Sequence, residues 1–264
     1  MVFALGPRAL EAGHRLTVHD TLDSTNSEAL RRAREGERGP LWIVAREQTA
    51  GRGRRGREWF SGGGNLATSL LFTASVAPAV AATLGFVASL AVHKACSALA
   101  PGLDVALKWP NDVLAQGGKI AGILLESEAA GVSTAVVVGI GLNLAAAPAG
   151  TAFPAQSLRA LGHRVAPEAA FEALTDAWSA LAALWDNGRG FDVIRAAWLA
   201  QARGIGQSVS VRAGDRVEDG IFETLDEQGR LILRMADGTA RAISAGDVYF
   251  GDAASAVAAA GAVR

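Results

Sequence analysis

The chain has 264 residues, with 25 lysines and arginines against 26 aspartates and glutamates, so its formal net charge is -1 at pH 7. That length buries a sizeable core and suits one large domain plus a small one, while the near-neutral balance offers no broad field to attract nucleic acid or an anionic membrane. Cys96 is the only cysteine, which excludes an intrachain disulfide framework and a cysteine-built zinc site and fits a reducing, cytoplasmic setting.

Residues 1–10 carry Pro7 and Arg8 within a short apolar stretch and lack the charged–apolar–cleavage order of an export signal. Residues 15–22 alternate as a strand, and Thr25-Asn26-Ser27-Glu28 matches a capping box that starts a helix over residues 27–34. Residues 41–45 read as a buried strand running to Gln48. The loop that follows, Gly51-Arg52-Gly53-Arg54-Arg55-Gly56-Arg57-Glu58-Trp59-Phe60-Ser61, alternates glycine with arginine in front of a tryptophan. Glycine lets backbone N–H groups approach an anion, guanidinium groups can surround it, and an indole face can carry a nucleobase. A nucleotide site is one reading; a solvated loop or a nucleic-acid patch is the alternative.

Residues 68–92 are uncharged over a length that would span a bilayer, but Pro78 divides them into a strand over 65–73 and a core helix over 78–99. His93 and Cys96 fall on that helix and read as packing. A strand over 105–109 leads through Lys108-Trp109-Pro110-Asn111-Asp112 to a hairpin whose second strand, 119–127, opens on Lys119. A last apolar strand over 132–144 is interrupted at Gly139-Ile140-Gly141, where the missing side chains imply something lying close to the backbone. Two helices follow, at 167–185 and 191–202. From Gly206 the texture changes to short strands at 208–211, 220–222, 231–233 and 240–243, with turns at Gln228-Gly229 and Asp237-Gly238. Residues 253–264 form an alanine-rich tail, expected to be frayed or helical.

Ser24-Thr25-Asn26, Gln48, the Gly/Arg loop, Lys108-Trp109-Pro110-Asn111-Asp112, Lys119-Ile120-Ala121-Gly122-Ile123-Leu124-Leu125-Glu126 and Gly139-Ile140-Gly141-Leu142-Asn143 together resemble the biotin protein ligase family in order and spacing. The resemblance implies an α+β fold. Its catalytic domain, over 1–204, is a mixed β-sheet with helices of the class II synthetase-like type. A small SH3-like β-barrel over 205–251 and the tail over 252–264 follow. It implies activation of biotin by ATP, with Mg²⁺, to biotinyl-5'-AMP and transfer to a lysine of a carboxylase's biotin carrier domain.

By the same resemblance Ser24, Thr25, Asn26, Gln48 and the backbone at Gly51, Arg52 and Gly53 surround the ureido ring. Lys119 and Arg54 are catalytic, and Lys119 contacts both the biotin carboxylate and the α-phosphate. Arg52, Arg54, Arg55 and Arg57 hold the anions, Trp59 is the adenine platform, and Asn111 and Asn143 are polar partners of the nucleotide. Asp112 has two roles open, as a Mg²⁺ ligand or as acceptor of the incoming amine's proton; no protein-only metal site is expected. Residues 1–23 are too few for the helix-turn-helix domain of the bifunctional members. No nucleic acid, no membrane and a monomer or homodimer are expected. Glycines 62–64 depart from the family pattern. The competing readings are a lipoyl or octanoyl transferase, for which Cys96 is poorly placed, and a nucleic-acid-binding module, which near-zero charge disfavours.

Overall fold

The computed structural model describes residues 2–130, 133–151 and 153–251. A short helix α1 (Pro7–Glu11) leads into strand β1 (Arg15–Leu22), helix α2 (Thr25–Arg34) and strand β2 (Leu41–Gln48). β1 and β2 pair in parallel, which a helical crossover permits and a tight turn does not. Strands β3 (Leu66–Ala74), β4 (Val105–Lys108), β5 (Asp112–Ala115), β6 (Gly118–Ala130) and β7 (Ser133–Leu142) join by antiparallel pairing. The seven-stranded order is β1-β2-β3-β7-β6-β5-β4.

Residues 41–45 of β2 are apolar and buried at every position. Successive side chains of a strand point to opposite faces, so Trp42 and Val44 enter the main core while Leu41 and Ile43 meet Ala29 and Ala33 of α2. Val136 and Val138 of β7 divide from Val137 in the same way. A sheet covered on both faces needs such continuous apolar runs in place of alternation. The main core is closed by α3 (Pro78–Ala82), α4 (Leu84–Leu99), α5 (Pro167–Trp185) and α6 (Phe191–Leu199).

Four local expectations are corrected. The single helix expected over Pro78–Leu99, the one described stretch long and apolar enough to cross a membrane, is broken at Thr83, whose hydroxyl donates to the Val80 carbonyl (2.6 Å) and accepts from Trp185 Nε1 (2.8 Å). Both halves contribute to the core. The cap of α2 is Ser24, not Thr25: Ser24 accepts from the Ser27 N–H, and the helix starts two residues earlier than expected. The second late helix ends at Leu199 instead of 202. Helix α1 and a final strand β12 (Asp247–Phe250) were not foreseen.

The C-terminal part forms a separate antiparallel sheet of β8 (Ser208–Ala213), β9 (Arg216–Leu225), β10 (Leu231–Arg234), β11 (Ala240–Ile243) and β12, in the order β11-β10-β9-β8-β12. Gly229, at φ +75°, takes the left-handed turn between β9 and β10 that glycine accommodates without a Cβ penalty. The same turn is pressed onto the large sheet: Trp109 Nε1 donates to the Gly229 carbonyl at 3.0 Å, and a Cβ on Gly229 would sit 2.6 Å from the Phe86 ring. Val209, Phe222, Leu231 and Val248 belong to the same apolar cluster as α4 and α5. The expected tail at 253–264 lies outside the described residues.

Candidate active site

On the α2 face of the large sheet, beyond the first turn of the helix, side chains give way to glycines. Gly122 of β6 pairs with Gly141 of β7, and Gly139 lies two residues back on the same face. None of the three has a positive φ, so it is space and not backbone freedom that requires glycine. A Cβ at Gly139 would collide with the Asn26 amide, one at Gly141 with the Trp59 indole, and one at Gly122 would sit 2.9 Å from Trp59 Cζ3. The interrupted apolar strand therefore does have something against its backbone.

At one end of this floor, the first turn of α2 sets Ser24, Thr25 and Asn26, all buried. Gln48, at the end of β2, accepts from the Thr25 N–H (2.8 Å) and hydroxyl (3.2 Å) and donates to Ser61 (2.8 Å). Ser69 of β3 lies 2.7 Å from the Thr25 hydroxyl and donates to Asn26 Oδ1 (2.5 Å). Asn26 Nδ2 donates to Glu126 (2.8 Å), which also accepts from Arg52 (2.9 Å). Asn26 is thus held from both sides, and with it the rotamers of a polar wall.

The Gly/Arg loop folds back on itself. Arg52 bridges Glu58, the Gly53 N–H donates to the Arg57 carbonyl (2.7 Å), and the Trp59 N–H to Gly51 (2.9 Å). The N–H groups of Gly53 and Trp59 are engaged inside the loop. Arg54 donates to Asn111 Oδ1 (2.7 Å) and to the Gly246 carbonyl (3.3 Å), and burial lowers its pKa from the ordinary guanidinium value. Arg55 and Arg57 both reach Asp247 Oδ2, at 3.0 and 2.7 Å. Burial alone would raise the Asp247 pKa; the hydrogen bond from Arg57 and the charges of Arg57, Arg55 and Arg54 bring it below the usual carboxylate value.

Beyond the loop, Lys119 Nζ lies 2.5 Å from Asp112 Oδ1 and 5.4 Å from the centre of the Trp59 ring. Lys108, paired with Asp112 across the β4–β5 hairpin, places its Nζ 3.9 Å from Asp112 Oδ2. Asn111 Nδ2 donates to the Ile123 carbonyl (2.6 Å), presenting Oδ1 to Arg54. Asn143 is buried, and its Oδ1 has no hydrogen-bond partner among the described residues, an acceptor left for a ligand donor.

These groups line one cavity of about 470 Å³, within the usual range for a small-molecule site. It collects Arg52, Arg54, Arg57, Lys108 and Lys119 against the carboxylates of Glu58, Asp112 and Asp247. Thirteen of the residues singled out in the sequence line it; Gly51 and Arg55 do not. Gly51 packs under the loop, where a Cβ would lie 2.7 Å from the Trp59 carbonyl, and the Arg55 guanidinium is spent on Asp247. Sequence reasoning missed Lys108, Glu126, Ser69, Phe153, Asp247 and Tyr249. Lys108 and Glu126 stand inside motifs already quoted, as the flanking residues of each; the others carried no local signal.

Among the described residues no three metal-ligating side chains converge, and Asp112 is crowded by two ammonium groups. The side chains present do not build a resident Mg²⁺ site.

A cation-lined cavity with an indole over a glycine floor and a hydrogen-bonded polar wall, on a mixed sheet backed by a small antiparallel one, fits a ligase that brings two anionic substrates together. Residues 18–143 match the biotin/lipoate A/B protein ligase family, and residues 204–251 the biotin protein ligase C-terminal domain. The chain is 46% identical to the biotin–[acetyl-CoA-carboxylase] ligase of Paracoccus denitrificans over 237 residues, covering 87% of this chain and 98% of that one. It superposes on the biotin protein ligase of Leishmania major in complex with biotinyl-5-AMP with a TM-score of 0.61 at 26% identity, covering 88% and 99% of the two chains. For the Aquifex aeolicus biotin protein ligase in complex with biotin and ATP the TM-score is 0.76 over 90% and 99%, where 24% identity supports the fold. The chain belongs to the biotin protein ligase family and is a ligase enzyme.

Proposed function

We propose that the chain activates biotin with ATP and transfers it to a lysine of a carboxylase's biotin carrier domain. A carboxylate oxygen of biotin attacks the α-phosphorus and pyrophosphate leaves; the acceptor amine then attacks the acyl carbon, AMP leaves, and Asp112 takes up the amine proton. ATP enters as its magnesium complex, a substrate. The observation that carries this reading is the convergence of Lys119, Asp112, Arg54 and Trp59 over the Gly122–Gly141 floor.

Lys119 neutralises the biotin carboxylate and the α-phosphate as they approach, which two anions cannot do unaided, and preorganised charge of this kind is a large catalytic contribution. Ser24, Thr25, Asn26, Gln48 and the backbone near Gly53 hold the ureido ring, matching donors and acceptors already fixed by Ser69 and Glu126. Trp59 carries the adenine, Asn143 Oδ1 accepts from it, and Arg54, Arg52 and Arg57 hold the phosphates and keep the adenylate from escaping. Arg55 acts on the loop through Asp247. The chain divides near residue 204 into a catalytic unit and a small β-unit, works in the cytoplasm as a monomer or homodimer, and takes no nucleic acid.

ATP–pyrophosphate exchange tests the reading, with biotin, lipoate or neither added. Biotin-dependent exchange is expected, and Lys119→Ala should reduce it at least about a hundredfold, the scale of losing one preorganised charge contact, with the fold intact by circular dichroism. Exchange with lipoate alone would reassign the substrate, and exchange with neither would overturn adenylation.

A further inference from the structure

We infer that Lys108 is a phosphate-binding residue of this cavity, holding the β- and γ-phosphates of ATP and then the pyrophosphate they become. This rests on the adenylation reading above and deepens it. The Lys108 residue is only 5% exposed, yet it lines the cavity. Its ammonium has three donors, and among the described residues none is hydrogen-bonded. The Asp112 carboxylate, at 3.9 Å, is within ion-pair range but beyond hydrogen-bonding distance, and its other oxygen is engaged by Lys119. What surrounds Nζ is aromatic: the Phe153 ring centre at 3.5 Å, with Tyr249 and Phe250 each at 5.9 Å. Those faces attract a cation without using its hydrogens.

A buried charge with empty donors is strongly unfavourable unless something completes it. Burial lowers its pKa to about 8, so the free protein feels that penalty. The missing partner is an anion rich in oxygens. A carboxylate and an α-phosphate are already met by Lys119, on the other oxygen of the same Asp112. The next anionic group along an ATP molecule is the β-phosphate, and Lys108 is a second cation beside the same Asp112, in the same cavity and near Asp247 and Tyr249 of β12. There it faces the charge that grows on the leaving pyrophosphate, where a preformed cation lowers the barrier.

Titration calorimetry of magnesium pyrophosphate and, separately, of biotin against the full-length wild type, Lys108→Met and Lys108→Arg distinguishes the outcomes. The methionine variant should lose pyrophosphate affinity by at least about tenfold, the scale of one charge-assisted hydrogen bond, keep biotin affinity, and melt no lower than wild type because a buried charge is gone. Lys108→Arg should recover part of the loss. Unchanged pyrophosphate affinity in Lys108→Met would overturn the inference, as would loss of both ligands with a lowered melting temperature, which marks a structural lysine. If the wild type binds pyrophosphate and biotin normally while only the variant result fails, the ligase reading stands. Wild-type protein that binds neither ligand would overturn that reading and the inference with it.

Discussion

At the scale of single residues, the chemistry is set by which charges are completed and which are left open. Arg52, Arg55 and Arg57 are each paired with a carboxylate, whereas Lys108 is held among rings. Burial is the largest influence on Lys108, bringing its pKa from 10.5 to about 8; Asp112 and Asp247 oppose that shift, and Lys119 and Arg54 add to it. Below pH 8 the folded and unfolded chains both carry the proton, and the folded one bears the whole cost of the buried charge. Between about 8 and 10.5 the unfolded chain holds more protons than the folded one, so stability rises with pH across that window. The rise attributable to this group is on the order of 3 kcal/mol, and Lys108→Met should lack it. Urea denaturation of the two proteins between pH 7 and 10.5 measures the difference; parallel curves would contradict it. The motif carrying Lys108 was legible in the sequence, but its isolation was not, because the rings that enclose it come from residues 153, 249 and 250.

At the scale of elements, what reads clearly is what local pattern determines. β1, α5 and β11 have the bounds expected from alternation, helical spacing and turn glycines. What fails is what distant partners decide. Thr83 breaks a helix because Trp185 needs its hydroxyl, and Ser24 caps α2 while Gln48 supplies the second acceptor from another strand. The glycines of β6 and β7 were legible as a sign of close approach, but not as the floor beneath Trp59. Gly141→Ala is expected to displace the Trp59 indole and to raise the KM for ATP by roughly tenfold, the scale of one lost stacking contact. Biotin affinity and melting temperature should stay near wild type, since the collision is with a side chain and not with backbone. Exchange kinetics as a function of ATP concentration test this, and an unchanged KM would show that Trp59 does not carry the base.

At the scale of the whole molecule, two sheets share one apolar core, and the cavity is finished by the smaller of them. Asp247 reaches from β12 to two arginines of the loop, so the C-terminal strands help determine where the loop lies. Motif spacing foretold the family, but residues about 190 positions apart gave no local sign of meeting. The chain's six tryptophans are also unequally placed. Trp42, Trp109, Trp178, Trp185 and Trp198 are buried, and Trp59 alone is partly open, inside the cavity. The protein therefore carries its own optical reporter: the five interior indoles supply a steady emission, and any quenching or spectral shift on adding ATP belongs to the sixth. Trp59→Phe should abolish that change while leaving the background intact.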